Sequence, residues 1–424
     1  MAAIASILAR LKREPLDDLP IAVAFEQLLE DSGLIWRDRL LSPLVTLRLF
    51  MIQILSGNCA IAALRQLSGI DFAPSSYCEA RGRLPLQLLQ SLLHWMNEQA
   101  LQKFARTIAP NLFGPRVLIG DGSSYSLKDT LELREHFHLP RGVKEGVGYP
   151  MGKLMGLLDA ATGMFVSLLA LPLFHSDLRG VILLHPMLRE GDIFLGDRAF
   201  CSFAHLVLLN ARGVFACVRL HQRRKDKSSA MQRWKKQSNV PAWMTAAQHE
   251  LMPDWIDVRL VRYAIVQKGY RTKHVLIITT LLNKKQWPDQ RIAELYGSRW
   301  QIETCFDHLK TTMKMNQLKC ETVAGVMKEL AIFFAVYNLV RLAMLVAAAR
   351  QKVDVARISF VDALRFLQAQ ILGLSGVPRL IINPDRRGRH QLRVIRGRLK
   401  EYDLLTKPRR ETERQIARKQ AKNP

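Results

Sequence analysis

Apolar residues recur at three- and four-residue spacing over Leu40–Leu55 and Leu84–Leu101, a period that predicts two amphipathic helices. Between them, Ala73-Pro74-Ser75-Ser76-Tyr77 predicts a turn and a serine-capped helix start leading into Arg81 and Arg83. Such a helix either docks on phosphate through its amides and arginines or is a solvated start. After Pro115 the texture becomes β-rich. Val117–Gly120 is a short apolar run that stops at Asp121-Gly122. Leu154–Ala160 and Met164–Pro172 flank the turn residues Asp159–Gly163 and predict an antiparallel hairpin. A helix over Leu178–Leu188, a buried strand Ile193–Gly196 ending at Asp197, a helix Phe203–Asn210 and a strand Gly213–Leu220 follow. That alternation describes a mixed α/β sheet. Alternating strands return between Ile256 and Leu282, and a helical pattern from Asp289 runs to about Arg350 with one break near Met315–Thr322.

These changes of texture divide the chain into five segments. Residues 1–112 form a helical region, 113–220 and 285–350 two parts of one α/β core, 221–284 a β-rich insertion, and 351–424 a helical, basic C-terminal region. The most apolar tract, Ala324–Ala349, is interrupted by Lys328, Glu329, Asn338 and Arg341. A membrane span needs about 18 successive apolar residues, so this tract predicts a buried helix.

Charge narrows the partner class. Lys and Arg number 62 against 37 Asp and Glu, a net charge of +25. Such an excess attracts polyanions, nucleic acid first among them. It collects in His221–Gln237, and again from Asp385 onward, where the sequence predicts a basic tail. The six cysteines lie apart, with no C-x-x-C pair and no His at zinc spacing, so neither a disulfide frame nor a structural zinc site is expected and the chain reads as cytoplasmic.

Two acids, Asp121 and Asp197, each follow a glycine at the end of an apolar strand, where open α/β sheets build their sites. Either one alone is an ordinary strand terminator. The third acid, Glu303, has Tyr296 at −7, Arg299 at −4 and Lys310 at +7, which puts all four on one face of a continuous helix. A stripe of Tyr, Arg, Glu and Lys is either an exposed ion-paired face or a surface turned to phosphate. Trp300, Ile302, Phe306 and Leu309 would bury the other side. Asp159, Asp177 and Asp307 are weaker candidates: one in the predicted turn, one as a helix cap, one a turn beyond Glu303.

The spaced Tyr-Arg-Glu-Lys motif closely resembles the IS-four family of bacterial insertion-sequence transposases, as do Asp121-Gly122 and Gly196-Asp197-Arg198-Ala199-Phe200. The resemblance extends to Tyr337-Asn338-Leu339-Val340-Arg341 and to Pro74-Ser75 through Ala80-Arg81, covering most of residues 40–345. It implies an RNase-H-like core interrupted by a β insertion ahead of the glutamate helix, an order the strand reading also produces. It further implies that Asp121, Asp197 and Glu303 hold two Mg²⁺ ions, with Mn²⁺ as substitute, and hard oxygen ligands suit both metals. Tyr296, Arg299 and Lys310 would contact DNA phosphates. The implied partners are double-stranded DNA, both terminal inverted repeats and target, and a second copy of the chain in a synaptic complex, with no membrane. The implied chemistry is nicking, a hairpin intermediate and strand transfer. A silent domesticated DNA-binding relative, or a nuclease of the same fold that never joins ends, would carry much of the same pattern. Family members can stack a flipped base on a Trp in the insertion; here the strand nearest the glutamate helix has none, leaving Trp234, Trp255 and Trp287 nearby.

Overall fold

In the computed structural model, residues 21–371 and 418 are described, apart from 37–38, 109–112, 143–147, 222–229, 265–273 and 317. The predicted basic tail from Asp385 lies outside these, save Arg418. Among the described residues, six helices precede the sheet: α1 (Ile21–Asp31), α2 (Pro43–Leu55), α3 (Ile61–Ser68), α4 (Pro74–Arg83), α5 (Leu86–Lys103) and α6 (Ala105–Ile108). Ser42 accepts the Val45 amide and Pro43 takes the first turn of α2, where a missing N–H costs nothing. The serine cap expected after Pro74 is not formed. Pro74 starts α4 with Ala73 before it, so Ser75 and Ser76 are inside the helix. Arg81 does not point outward; it lies over the Phe50 and Tyr77 rings and donates to Gln53.

An eight-stranded sheet follows, ordered β3-β2-β1-β4-β5-β8-β7-β6. Strand β1 (Val117–Ser126) leads to α7 (Leu131–Phe137), then the hairpin β2 (Met151–Asp159) and β3 (Phe165–Pro172). Helix α8 (Asp177–Ile182), β4 (Ile193–Gly196), α9 (Phe203–Asn210) and β5 (Phe215–Arg219) come next. Residues 231–279 supply β6 (Met231–Lys235), α10 (Ala246–Glu250), β7 (Trp255–Ala264) and β8 (His274–Thr279), which extend the same sheet. β1, β4 and β5 run parallel; β2, β3, β8, β7 and β6 each run antiparallel to the strand they join. Asp177 is the first residue of α8, whose cap is Ser176, accepting the Arg179 amide.

The period of two along each strand separates the sheet's faces. Val117, Ile119, Ile193, Leu195 and Cys217 point into one core, shared with the N-terminal helices and the C-terminal helix bundle. Leu118, Phe194, Ala216 and Val218 point into the other, with α8 and α9. On the first side lie α11 (Asp289–Gly297), α12 (Trp300–Asp307), a π turn (His308–Thr312), α13 (Val323–Gln351) and α14 (Phe360–Ile371). The tract read as a buried helix is α13: it is long and apolar enough to cross a membrane, but its most apolar stretch is 94% buried inside the protein.

Tyr337, Asn338 and Arg341 of α13 form a clamp on the β2–β3 hairpin. Asn338 accepts the Phe165 amide and donates to its carbonyl, Tyr337 donates to Gly163 O, and Arg341 donates twice to Thr162 O. Gly163 has a φ of +66°, which side chains rarely adopt, and a Cβ there would have to displace the Arg341 guanidinium, so a substitution at that turn is strained.

The second core holds a pair of stacked imidazoles, His185 and His205, with Nε2 atoms 3.1 Å apart. His205 Nδ1 faces the Phe200 carbonyl, so it carries the proton and His205 Nε2 accepts from His185. Burial pushes His185 down to about 3, helped by His205 and Arg212, and pushes His205 down to about 4 against the Phe200 bond. Both folded-state values lie below the unfolded 6.5, so the stability they confer is complete above pH 6.5 and is lost as pH falls from there toward 4 and 3. Two protons taken up on unfolding correspond to roughly 4 kcal/mol lost between pH 7.5 and 5. Urea melts at those pH values test this; replacing both residues, as in H185F/H205L, should flatten the acid limb.

Candidate active site

Asp121 does not end its strand. β1 continues five residues further, pairing Asp121 with Gly156, Gly122 with Met155 and Ser123 with Leu154. The parallel register pairs Ile119 with Leu195 and Gly120 with Gly196, so Asp121 and Asp197 are the next residues along adjacent strands. By the two-residue period both carboxylates share a face with Ile119 and Leu195, the face covered by α12. The glycines before them serve the opposite face. A Cβ on Gly120 would meet the Phe194 ring at 2.5 Å, and one on Gly196 the Phe200 ring at 2.6 Å.

The glutamate helix also departs from a simple continuous turn. α11 stops at Gly297, and Ser298 and Arg299 donate to Leu295 O and Tyr296 O in tightened, three-residue closures before α12 begins. After Asp307 the chain widens into the π turn that carries Lys310. Tyr296, Arg299, Glu303 and Lys310 therefore do not form one regular stripe. Arg299 and Glu303 still pair one helical turn apart, and packing against β1 brings Asp121 to Arg299 and Ser123 to Lys310. Arg299, only 8% exposed, donates through Nη2 to Glu303 Oε1 at 2.7 Å and through Nη1 to Asp121 Oδ2 at 3.4 Å. Lys310 Nζ donates to Ser123 Oγ at 3.3 Å, two residues beyond Asp121 on the same face of β1. Tyr296 is buried, and its hydroxyl and Arg299 Nε have no hydrogen-bond partner among the described residues.

Asp197 stands apart from this grip. Its side chain is 34% exposed, and its nearest cation is Arg198 at 4.0 Å. Among the described residues no group of three or more His, Cys, Asp or Glu stands close enough together to hold a metal ion. The acids nevertheless feel one another. Burial pushes the Asp121 carboxyl up to about 6, opposed by the Gly122 amide and Arg299 and reinforced by Glu303 and Asp197. Tyr296 is likewise driven upward by burial, with Arg299 opposing and Asp197 reinforcing. Asp159, by contrast, is wholly buried and accepts the Ala161 and Thr162 amides, a turn residue; Asp307 accepts from Thr311 in its own helix.

Three groups escaped the sequence reading. Ser123 holds Lys310. Arg219 and Tyr263 lie near Arg299 and Tyr296, close enough for Arg219 and Arg299 to oppose the upward push on Tyr263. Reading every second residue past Cys217 and past Val261 finds Arg219 and Tyr263 without the structure. Trp300 does not bury the helix; it is 44% exposed, with the Arg299 guanidinium 5.1 Å above its ring. Of the three candidate tryptophans, Trp234 and Trp287 are core residues, and Trp255 is exposed, beneath Lys235.

Two carboxylates thus stand on neighbouring strands of the sheet, faced by a glutamate and a buried arginine. Residues 112–339 match the family model for the transposase DDE domain, and the chain belongs to that family. No curated protein matches it. Among solved structures it is similar to the piggyBac transposase in the cryo-EM structure of its synaptic complex with hairpin DNA. That likeness has 11% identity over 86% of this chain and 80% of that one, with a TM-score of 0.43.

DDE transposases depend on divalent metal ions. The donor set here suits such an ion: every candidate ligand is a hard carboxylate oxygen, and two of them already converge on one cationic group, the Arg299 guanidinium.

Proposed function

We propose that this protein is a DNA transposase of the IS-four type, with an RNase-H-like core in two parts, residues 113–220 and 285–350, around a β insertion at 221–284. Residues 1–112 and 351–424 are assigned to DNA binding and assembly. Asp121, Asp197 and Glu303 are the catalytic carboxylates and would hold two Mg²⁺ ions, with Mn²⁺ able to replace them. Bound there, the ions would supply activation of the attacking oxygen and stabilisation of the leaving one. The single observation that carries this reading is the Arg299 guanidinium, buried and shared between a carboxylate on β1 and one on α12.

This chain's own residues position the phosphodiester. Arg299 and Lys310 neutralise its charge from two sides, held by Glu303 and Ser123 respectively. The Tyr296 hydroxyl keeps a donor ready for a phosphate oxygen. Such groups act by orientation and charge compensation rather than proton transfer. The reading includes strand nicking, a hairpin intermediate and transfer to target DNA, performed by a homodimer on paired terminal inverted repeats.

The test is incubation of the purified chain with labelled duplex carrying the element's terminal repeat, with Mg²⁺ or with chelator. Metal-dependent hairpin and joined products are expected. Nicked products alone would point to a nuclease, and binding without cutting to a silent relative; either result would refute the transposase reading. Affinity for duplex should fall with salt at a log–log slope of about 0.9 per phosphate neutralised.

A further inference from the structure

Arg299 makes an unusual use of its charge. Its two terminal nitrogens go to two different carboxylates, one each, instead of gripping one carboxylate in the fork that arginine favours. Its third donor, Nε, is buried with no partner among the described residues. Its flat faces are near two rings, Tyr296 at 5.9 Å and Trp300 at 5.1 Å from the guanidinium carbon. The guanidinium is thus cationic filling between Asp121 and Glu303, and it is not fully satisfied there. Of its two neighbouring rings, Trp300 is half-exposed, which leaves a path outward along an aromatic face.

We propose that Arg299 and a divalent ion would occupy the space between Asp121 and Glu303 alternately. The inference rests on the assignment of those carboxylates as metal ligands. A divalent ion reaching the same oxygens repels the guanidinium at a few ångströms, where charge repulsion is strong in a partly buried site. Arg299 then leaves along Trp300, and a DNA phosphate satisfies all its donors, Nε included. Arginine accordingly plays two parts in sequence. It keeps the carboxylates from repelling one another before metal arrives, and it delivers its charge to the phosphate afterwards. A consequence is coupling: DNA, by drawing Arg299 out, raises metal affinity, and metal raises DNA affinity by the same factor.

The experiment is Mn²⁺ titration of the full chain, with free ion read by electron paramagnetic resonance, with and without terminal-repeat duplex. Without DNA, Arg299→Gln is expected to bind Mn²⁺ about tenfold more tightly than the wild type, because its competitor is gone. Arg299→Lys, which keeps a charge but cannot span both acids, should fall between and serves if the glutamine variant does not fold. Duplex should tighten Mn²⁺ binding by about fivefold or more in the wild type and by much less in Arg299→Gln. Equal or weaker Mn²⁺ binding by the Arg299 variants, or unchanged coupling, overturns the proposal. Asp121→Asn separates the two levels. If it abolishes Mn²⁺ binding while Arg299→Gln fails to tighten it, only the exchange idea is wrong. If it leaves Mn²⁺ binding intact, the ligand assignment falls, and the exchange proposal with it.

Discussion

Asp121→Asn should abolish DNA cleavage while leaving the fold as stable as before or more so. On the proposed assignment, Asp121 contributes to metal-assisted charge stabilisation worth several kcal/mol, and each 1.36 kcal/mol is a factor of ten, so a loss of about 10³-fold or more is expected. The stability change has the opposite sign. Burial has raised the Asp121 carboxyl to about 6, above its ordinary 3.8, so the folded chain binds the proton more tightly than the unfolded one. Ionised Asp121 therefore costs stability at neutral pH, a cost that disappears as pH falls through 6 toward 4. A neutral amide of the same shape removes it, a gain of up to roughly 3 kcal/mol at pH 7, less what Arg299 loses in compensation. Urea melts and a cleavage assay on the same preparation check both halves. A variant that cuts at more than a tenth of the wild-type rate would remove Asp121 from the catalytic set.

That opposition of function and stability explains why parts of the site were legible in sequence and others were not. A carboxylate placed on a buried strand is locally anomalous, so Asp121 and Asp197 can be picked out from their flanking residues alone. Their adjacency is also local in origin, because two short apolar runs ending in Gly-Asp align naturally when their strands pair in parallel. Glu303 is singled out in sequence by its spacing from Tyr296, Arg299 and Lys310; it does pair with Arg299 one helical turn away, but the helix is interrupted at 298–299 and widened at 308–312. The tightened turn at Ser298–Arg299 and the π turn at Lys310 leave no periodic trace. The same limit applies to polarity. Arg81 looked like a phosphate contact and is a core-lining cation, and Trp300 looked like core and is half-exposed. Where a long side chain goes is decided by partners distant in sequence, such as Gln53 for Arg81 and Asp121 for Arg299.

Glu329→Ala is the substitution expected to cost the most stability, for a reason of this non-local kind. Glu329 is completely buried within α13, in the tract whose apolar character dominated the sequence reading. Its carboxylate accepts the Lys319 and Cys320 amides and the Asn58 side-chain amide at 2.7 Å. It thereby joins the turn after α2, where Asn58 sits at a φ of +55°, to the loop that connects the Lys310 turn with α13. Alanine leaves three donors without this acceptor, each desolvated donor costing about 1–3 kcal/mol, so a loss of roughly 3–5 kcal/mol is expected. Glutamine keeps the shape and one acceptor oxygen and should cost about half as much. The damage should be local before it is global. Amides of residues 318–322 should exchange hydrogen faster in Glu329→Gln, since the acceptor that closes that loop is weakened while the sheet is untouched. Lys310 leads directly into this loop, so loosening it should weaken duplex binding more than it disturbs the Asp121–Arg299–Glu303 contact. Urea denaturation placing Glu329→Ala within 1 kcal/mol of the wild type would show that the carboxylate's own burial cost offsets its three bonds.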